Sequence, residues 1–189
     1  LEEPPENTVF MLVADEIDRV LPTIRSRCRL IRAGAPTREQ ALEWLKSQGV
    51  QDAERKLTEA GGMPLAVFDE DARFRLADET RERFLAYLKL GHAAPPAQAL
   101  SVADKDVTLS AAALFLSRWG WDLASAKVGC EPQYFPEFAE EIKTIAQAAN
   151  PTGLYTWINS VRDIRRVSEH PLNAKTMIEA LLISYARNI

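Results

Sequence analysis

Between residues 109 and 185, apolar side chains return every third or fourth position, a spacing that suits helices packed on one another. Leu109, Ala112, Ala113, Leu116 and Leu123 form one stripe. Phe138, Ile142, Ile145, Ala146 and Ala149 form the next; Leu154, Trp157, Ile158 and Val161 a third; Met177, Ile178, Leu181, Leu182 and Tyr185 a fourth. Loops are expected at Gly129 to Pro136 and at Asn150-Pro151. A helix with one apolar face must bury it, so four such faces in succession predict an all-helical bundle. Phe84, Tyr87 and Leu88 mark a further helix ending at Gly91, and a short one is predicted around Ala97 to Ala103 after the Ala93-Ala94-Pro95-Pro96 loop.

Ahead of this bundle lies a smaller helical segment. Thr37 with Gln40 three residues on is a capping box for a helix carrying Ala41, Trp44 and Leu45, stopped by Gly49. Asp52 is expected to cap a second helix with Ala53, Leu57 and Ala60 on one face, ended by Gly61-Gly62. Pro64 suits the first position of a third helix with Leu65 and Phe68. Asp69 to Asp78 is a charged connector.

The first 35 residues differ in character. Thr8-Val9-Phe10-Met11-Leu12-Val13-Ala14 is a continuous apolar run, the pattern of a parallel strand covered on both faces. After a turn at Asp15-Glu16, helical turns are predicted at Asp18 to Leu21 and Pro22 to Ser26, and a short strand at Arg29 to Arg32. So short a segment cannot supply a whole sheet. With Leu1-Glu2-Glu3-Pro4-Pro5 in place of an initiator Met, the chain is expected to be the later part of a longer protein.

Composition narrows the function classes. The 189 residues are 47% hydrophobic and 26% charged, with a net charge of -4 and a pI near 5.4. A protein gripping DNA mainly through its own surface is usually more basic. Cys28 and Cys130 are the only cysteines and stand apart from any Cys/His cluster, so a zinc site is not expected. No run is long enough to span a membrane. His92 and His170 lie far apart with no nucleophile context, and no phosphate-binding loop of the Gly-x-x-x-x-Gly-Lys-Ser/Thr kind occurs. Of the tryptophans, Trp44, Trp119 and Trp157 fall near apolar stripes and are expected in cores. Trp121, off the stripe, is a candidate interface anchor.

One basic cluster remains: Arg25, Arg27, Arg29 and Arg32. By charge pattern alone, it is an exposed face of a small strand–helix unit. The order of residues around it says more. Leu1-Glu2-Glu3-Pro4-Pro5, Thr8-Val9-Phe10-Met11-Leu12 and Leu21-Pro22-Thr23-Ile24-Arg25-Ser26-Arg27-Cys28 resemble the second half of the AAA+ ATPase-type domain of bacterial DNA polymerase III clamp-loader subunits. His170-Pro171-Leu172-Asn173 resembles the opening of the last helix in subunits of the delta prime type.

This resemblance implies a mainly α fold in three parts. Residues 1–35 would be the remnant of an α/β AAA+ domain, 36–77 a three-helix lid, and 78–189 a helical oligomerisation collar. It implies that Arg27 is an arginine finger reaching ATP-Mg on an adjacent subunit, with Ser26 and Cys28 shaping its turn and Arg25 near the DNA backbone. In ATP-hydrolysing members a lid arginine follows a Gly in a segment like Gly-Ser-Leu-Arg. Here Gly62-Met63-Pro64-Leu65 places Leu65 in that position, and Val13-Ala14-Asp15 lacks an evident phosphate sensor. Both departures imply an ATP-independent stator with no nucleotide of its own. Its implied partners are the gamma/tau and delta subunits through the collar, and the sliding clamp and primed DNA through the complex. It would be a cytoplasmic bacterial subunit of a DNA-directed DNA polymerase (nucleotidyltransferase) holoenzyme. The alternatives are a fragment of the ATP-hydrolysing gamma/tau subunit, or a helical adaptor without ATP chemistry.

Overall fold

The computed structural model describes residues 6–14, 17, 20–68, 76–102, 107–168 and 173–189. Residues 1–5, Asp15-Glu16, Asp18, most of the charged connector, Ala103 and His170-Pro171-Leu172 therefore lie outside the described residues. The chain divides into two compact units, Leu1–Pro36 and Thr37–Ile189.

The first unit holds one helical turn, α1 (Pro22–Arg25), with Pro22 at its first position as expected. The two expected strands are not formed: residues 8–14 and 29–32 have no regular structure. Val9, Met11 and Val13 are each about nine-tenths exposed, and Leu30 and Ile31 are exposed too. The physical reason is that a strand's amide and carbonyl groups need a paired neighbour, and among the described residues no strand offers an edge.

The second unit is helical throughout. α2 (Arg38–Ser47) opens with the expected capping box. The Thr37 hydroxyl accepts from the Gln40 amide, and the Gln40 side chain accepts from the Thr37 amide at 3.0 Å. α3 (Ala53–Glu59) begins where expected, but Asp52 does not cap it. Asp52 sits in the left-handed region at φ 53° and its carboxylate faces Arg55 at 3.7 Å instead. The third helix is only a 3-10 turn, Leu65–Val67, with Pro64 just ahead of it. Ala41, Leu45, Ala53 and Leu57 form this part's core. Trp44 is not in it: the ring is partly exposed and stands edge-on to Phe68, centroids 5.6 Å apart.

The bundle follows: α4 (Asp78–Leu88), α5 (Ala99–Val102), α6 (Leu109–Lys127), α7 (Ala139–Ala148), α8 (Pro151–Val167) and α9 (Ala174–Asn188). Thr108, Asn150 and Asn173 cap α6, α8 and α9, each accepting from a backbone amide of the first turn. α6 is the central helix, packing on α7, α8 and α9. Every stripe residue from Leu109 to Tyr185 is buried except Phe138, Ile158 and Met177, which pack at the core's edge. Trp119, Trp157 and Tyr185 are fully buried. Large side chains of this kind stabilise by about 1.5–3 kcal/mol each relative to exposure.

The buried indoles and the Tyr185 phenol of this core are matched. The Trp157 indole donates to Leu181 O at 2.9 Å. The Tyr185 hydroxyl accepts from the Trp119 indole and donates to Leu88 O at 2.6 Å, tying α9 to α6 and α4. Burial pushes the Tyr185 phenol well above its usual range. Among the described residues, no helix is long and apolar enough to cross a membrane, and no cluster of His, Cys, Asp or Glu is arranged to hold a metal.

Candidate functional site

α1 is built for a tight exit. Pro22 presets the first backbone angle of the turn and removes an amide that would have no partner. The amides of Arg25 and Ser26 then donate to Leu21 O and Pro22 O at 3.1 and 3.0 Å, and those of Arg27 and Cys28 to Ile24 O and Arg25 O at 3.1 and 3.4 Å.

Two side chains converge on one carbonyl at the end of this turn. Ser26 Oγ donates to Thr23 O at 3.1 Å, and Arg27 Nη1 donates to the same oxygen at 2.9 Å. Ser26 thus closes the turn and the Arg27 head is held against it. A guanidinium carries five N–H donors in a planar fork, and Nη1 supplies the one used on this oxygen. Arg25, Arg27, Cys28, Arg29 and Arg32 are all exposed. Cys28 joins the turn through its backbone amide, and its thiol is free and exposed. Leu65 is 73% exposed in the Leu65–Val67 turn. His92 is exposed in a 3-10 turn, and Trp121 is 58% exposed on α6.

A second polar centre was not singled out from the sequence. Asp122, on α6, is completely buried. Its carboxylate accepts from three successive backbone amides: Gln133 at 2.8 Å, Tyr134 at 3.0 Å and Phe135 at 2.8 Å. Burial pushes this carboxyl up from its usual range, while the three amides pull it back down. The fixed loop then reaches α3: the Gln133 side-chain amide donates to Gly61 O at 2.5 Å. Arg118, one turn before Asp122, lies over the Tyr134 ring at 5.6 Å.

Comparison with known proteins bears on the first centre. Residues 1–36, which include all of α1 and the arginine cluster, match the family model described as DNA polymerase III, delta subunit. Relatives named DNA polymerase III subunit delta' are similar over longer stretches. The one from Haemophilus influenzae is 40% identical over 72 residues, 36% of this chain and 22% of the relative. That from Escherichia coli K12 is 39% identical over 77 residues, 38% of this chain and 23% of the relative. That from Buchnera aphidicola of Baizongia pistaciae is 42% identical over 50 residues, 26% of this chain and 15% of the relative. The resemblance to DNA polymerase III subunits is thereby supported by direct comparison. Within that class, the chain is similar to the delta prime type. The matched stretch spans less than a quarter of each of these relatives' length.

Proposed function

We propose that this chain acts as a delta prime-type clamp-loader subunit, an ATP-independent stator in a ring of subunits. Its Arg27 is presented to ATP-Mg held by the adjacent subunit. Ser26 and the backbone amide of Cys28 keep the turn in shape, and Arg25 lies toward the DNA backbone. The single observation carrying this reading is that the matched segment contains the α1 turn, with Arg27 exposed and anchored at its exit.

A guanidinium placed this way stabilises the charge developing on the transferred phosphoryl group, which accelerates hydrolysis by about a thousandfold or more. Because the residue and the nucleotide belong to different subunits, hydrolysis depends on assembly. In this reading residues 1–35 belong to an AAA+ domain, 36–77 to a lid, and 78–189 to a collar that packs against gamma/tau and delta in the cytoplasm. The assembled ring would open the sliding clamp and set it on primed DNA. Leu65 in place of a lid arginine favours the stator over a gamma/tau fragment.

The test is Arg27→Ala in a ring assembled with this subunit, with clamp- and DNA-stimulated ATP turnover measured beside assembly by size exclusion. The expected result is intact assembly with hydrolysis lost at the adjoining site. Unchanged turnover in an intact ring would instead establish an adaptor without ATP chemistry.

A further inference from the structure

We propose that the cleft between α3 and the α4/α6 face of the bundle binds a small diphosphate-bearing anion, a role independent of the clamp-loader reading. The cleft has a volume of about 430 Å³ and is lined by Arg55, Lys56, Arg81 and Arg118 against only Glu59 and Asp78. A chain with a net charge of -4 therefore concentrates cations in one concavity.

These cations are not equivalent. Arg55 is paired with Asp52 and Glu59, and Arg81 with Glu137 at 3.2 Å. Among the described residues, Arg118 and Lys56 have no carboxylate at salt-bridge distance. Arg118 has the Tyr134 ring beneath it, a contact that offsets only part of the cost of withdrawing a guanidinium from water. Glu59 acts on Arg118 only from beyond salt-bridge distance, so an anion entering the cleft would meet both cations, and a diphosphate has the charge and the oxygen geometry for them.

The wall is also held in place. Asp122 fixes the backbone of Gln133 to Phe135, and Gln133 holds Gly61 at the end of α3. The Tyr134 ring packs directly against Gly61, whose φ of +66° suits glycine. The backbone carrying this wall is therefore tied to the end of α3, which lowers the ordering cost of binding.

Calorimetric titration of the chain with sodium pyrophosphate at low salt tests this, with ADP and a short DNA duplex as parallel titrants. Saturable binding of one pyrophosphate is expected, weakened about tenfold by either Arg118→Gln or Lys56→Gln. The exposed Arg162→Gln on α8 should leave it unchanged. Tighter binding of ADP than of pyrophosphate would support the site and assign it to a nucleotide, with Tyr134 and Phe115 beside the base. Equal binding would support it as a site for free pyrophosphate. Should Arg118→Gln fail to fold, Lys56→Gln decides alone, since its side chain supports no core. The proposal is overturned by absence of heat up to about 10 mM pyrophosphate, by binding indifferent to the variants that fold, or by binding of the duplex alone.

Discussion

Asp122 accepts the backbone amide of Phe135 at 2.8 Å, and with the amides of Gln133 and Tyr134 this makes one carboxylate the anchor of the loop between α6 and α7. Replacing it by Ala leaves three amides without their acceptor, that of Phe135 in a buried place and the other two partly buried. Bonds to a charged acceptor are worth more than neutral ones, so Asp122→Ala is expected to lose about 3 kcal/mol or more. Urea unfolding, followed by tryptophan fluorescence, measures it. A loss under about 0.5 kcal/mol would mean that the loop holds its shape without the carboxylate.

The same group gives a pH signature. Burial raises the folded carboxyl above its unfolded value and outweighs the amide bonds that lower it. The folded state therefore keeps its proton longer than the unfolded state. The contribution from this titration is fullest below about pH 4 and declines as pH rises through the folded value. Asp122→Asn removes the titration. The stability difference between the wild type and Asp122→Asn should shift against the wild type as pH rises from about 4 toward neutrality. A difference that is flat with pH, or of opposite slope, would refute the assignment.

Gly61 and Tyr134 are expected to be coupled. A Cβ at Gly61 would run into the Tyr134 ring, and the φ of +66° is costly for any L side chain. Gly61→Ala therefore combines a backbone cost of about 1 kcal/mol with an overpacking cost of about 1–3 kcal/mol. Only the second disappears when the ring is removed. In a double-mutant cycle with Tyr134→Ala, the cost of Gly61→Ala should fall by about 1 kcal/mol or more, leaving the backbone part. Additive effects would place the ring elsewhere.

Tyr185→Phe tests the core hydrogen-bond relay. The lost hydroxyl serves the Trp119 indole and Leu88 O, both inside the core. Leaving these groups without their partner is expected to cost about 1–3 kcal/mol, with little change in the urea dependence because packing is kept. The fluorescence of Trp119 should shift as its indole loses an acceptor, whereas exposed Trp121 should contribute an unchanged red-shifted component.

How much of this could be read from the sequence follows from the range of the forces involved. The bundle stripes and the Thr37 capping box are set by residues three or four apart, and those expectations hold. Asp52 failed as a cap because its own backbone turned left-handed, and Trp44 lies half out of its core because Phe68 offers it a ring at the surface. The run at Thr8–Ala14 has strand composition, but pairing is a long-range property that composition cannot supply. Asp122 reads as an ordinary polar residue on a long helix; its acceptors' donors come from a loop that only the fold brings beneath it. For the arginine cluster, the order of residues identified the segment, whereas the convergence of Ser26 and Arg27 on Thr23 O needed coordinates.

That convergence permits a finer test than deletion of the arginine. Arg27→Lys keeps one positive charge at the exit of α1 but replaces a planar fork by a single ammonium on a flexible stem. If the residue acts on a neighbour's phosphate through geometry, turnover in an assembled ring should fall by about tenfold or more even though charge is conserved. Ser26→Ala removes the hydroxyl that also holds Thr23 O, in an exposed place, and should cost about 0.5–1 kcal/mol of local stability with a smaller loss of turnover. The ordering expected for stimulated ATP hydrolysis is wild type, Ser26→Ala, Arg27→Lys, then Arg27→Ala, with ring assembly equal in all four by size exclusion. Lys performing as well as Arg would reduce the role to net charge. Ala performing as well as Arg, in rings that assemble normally, would remove Arg27 from the chemistry altogether.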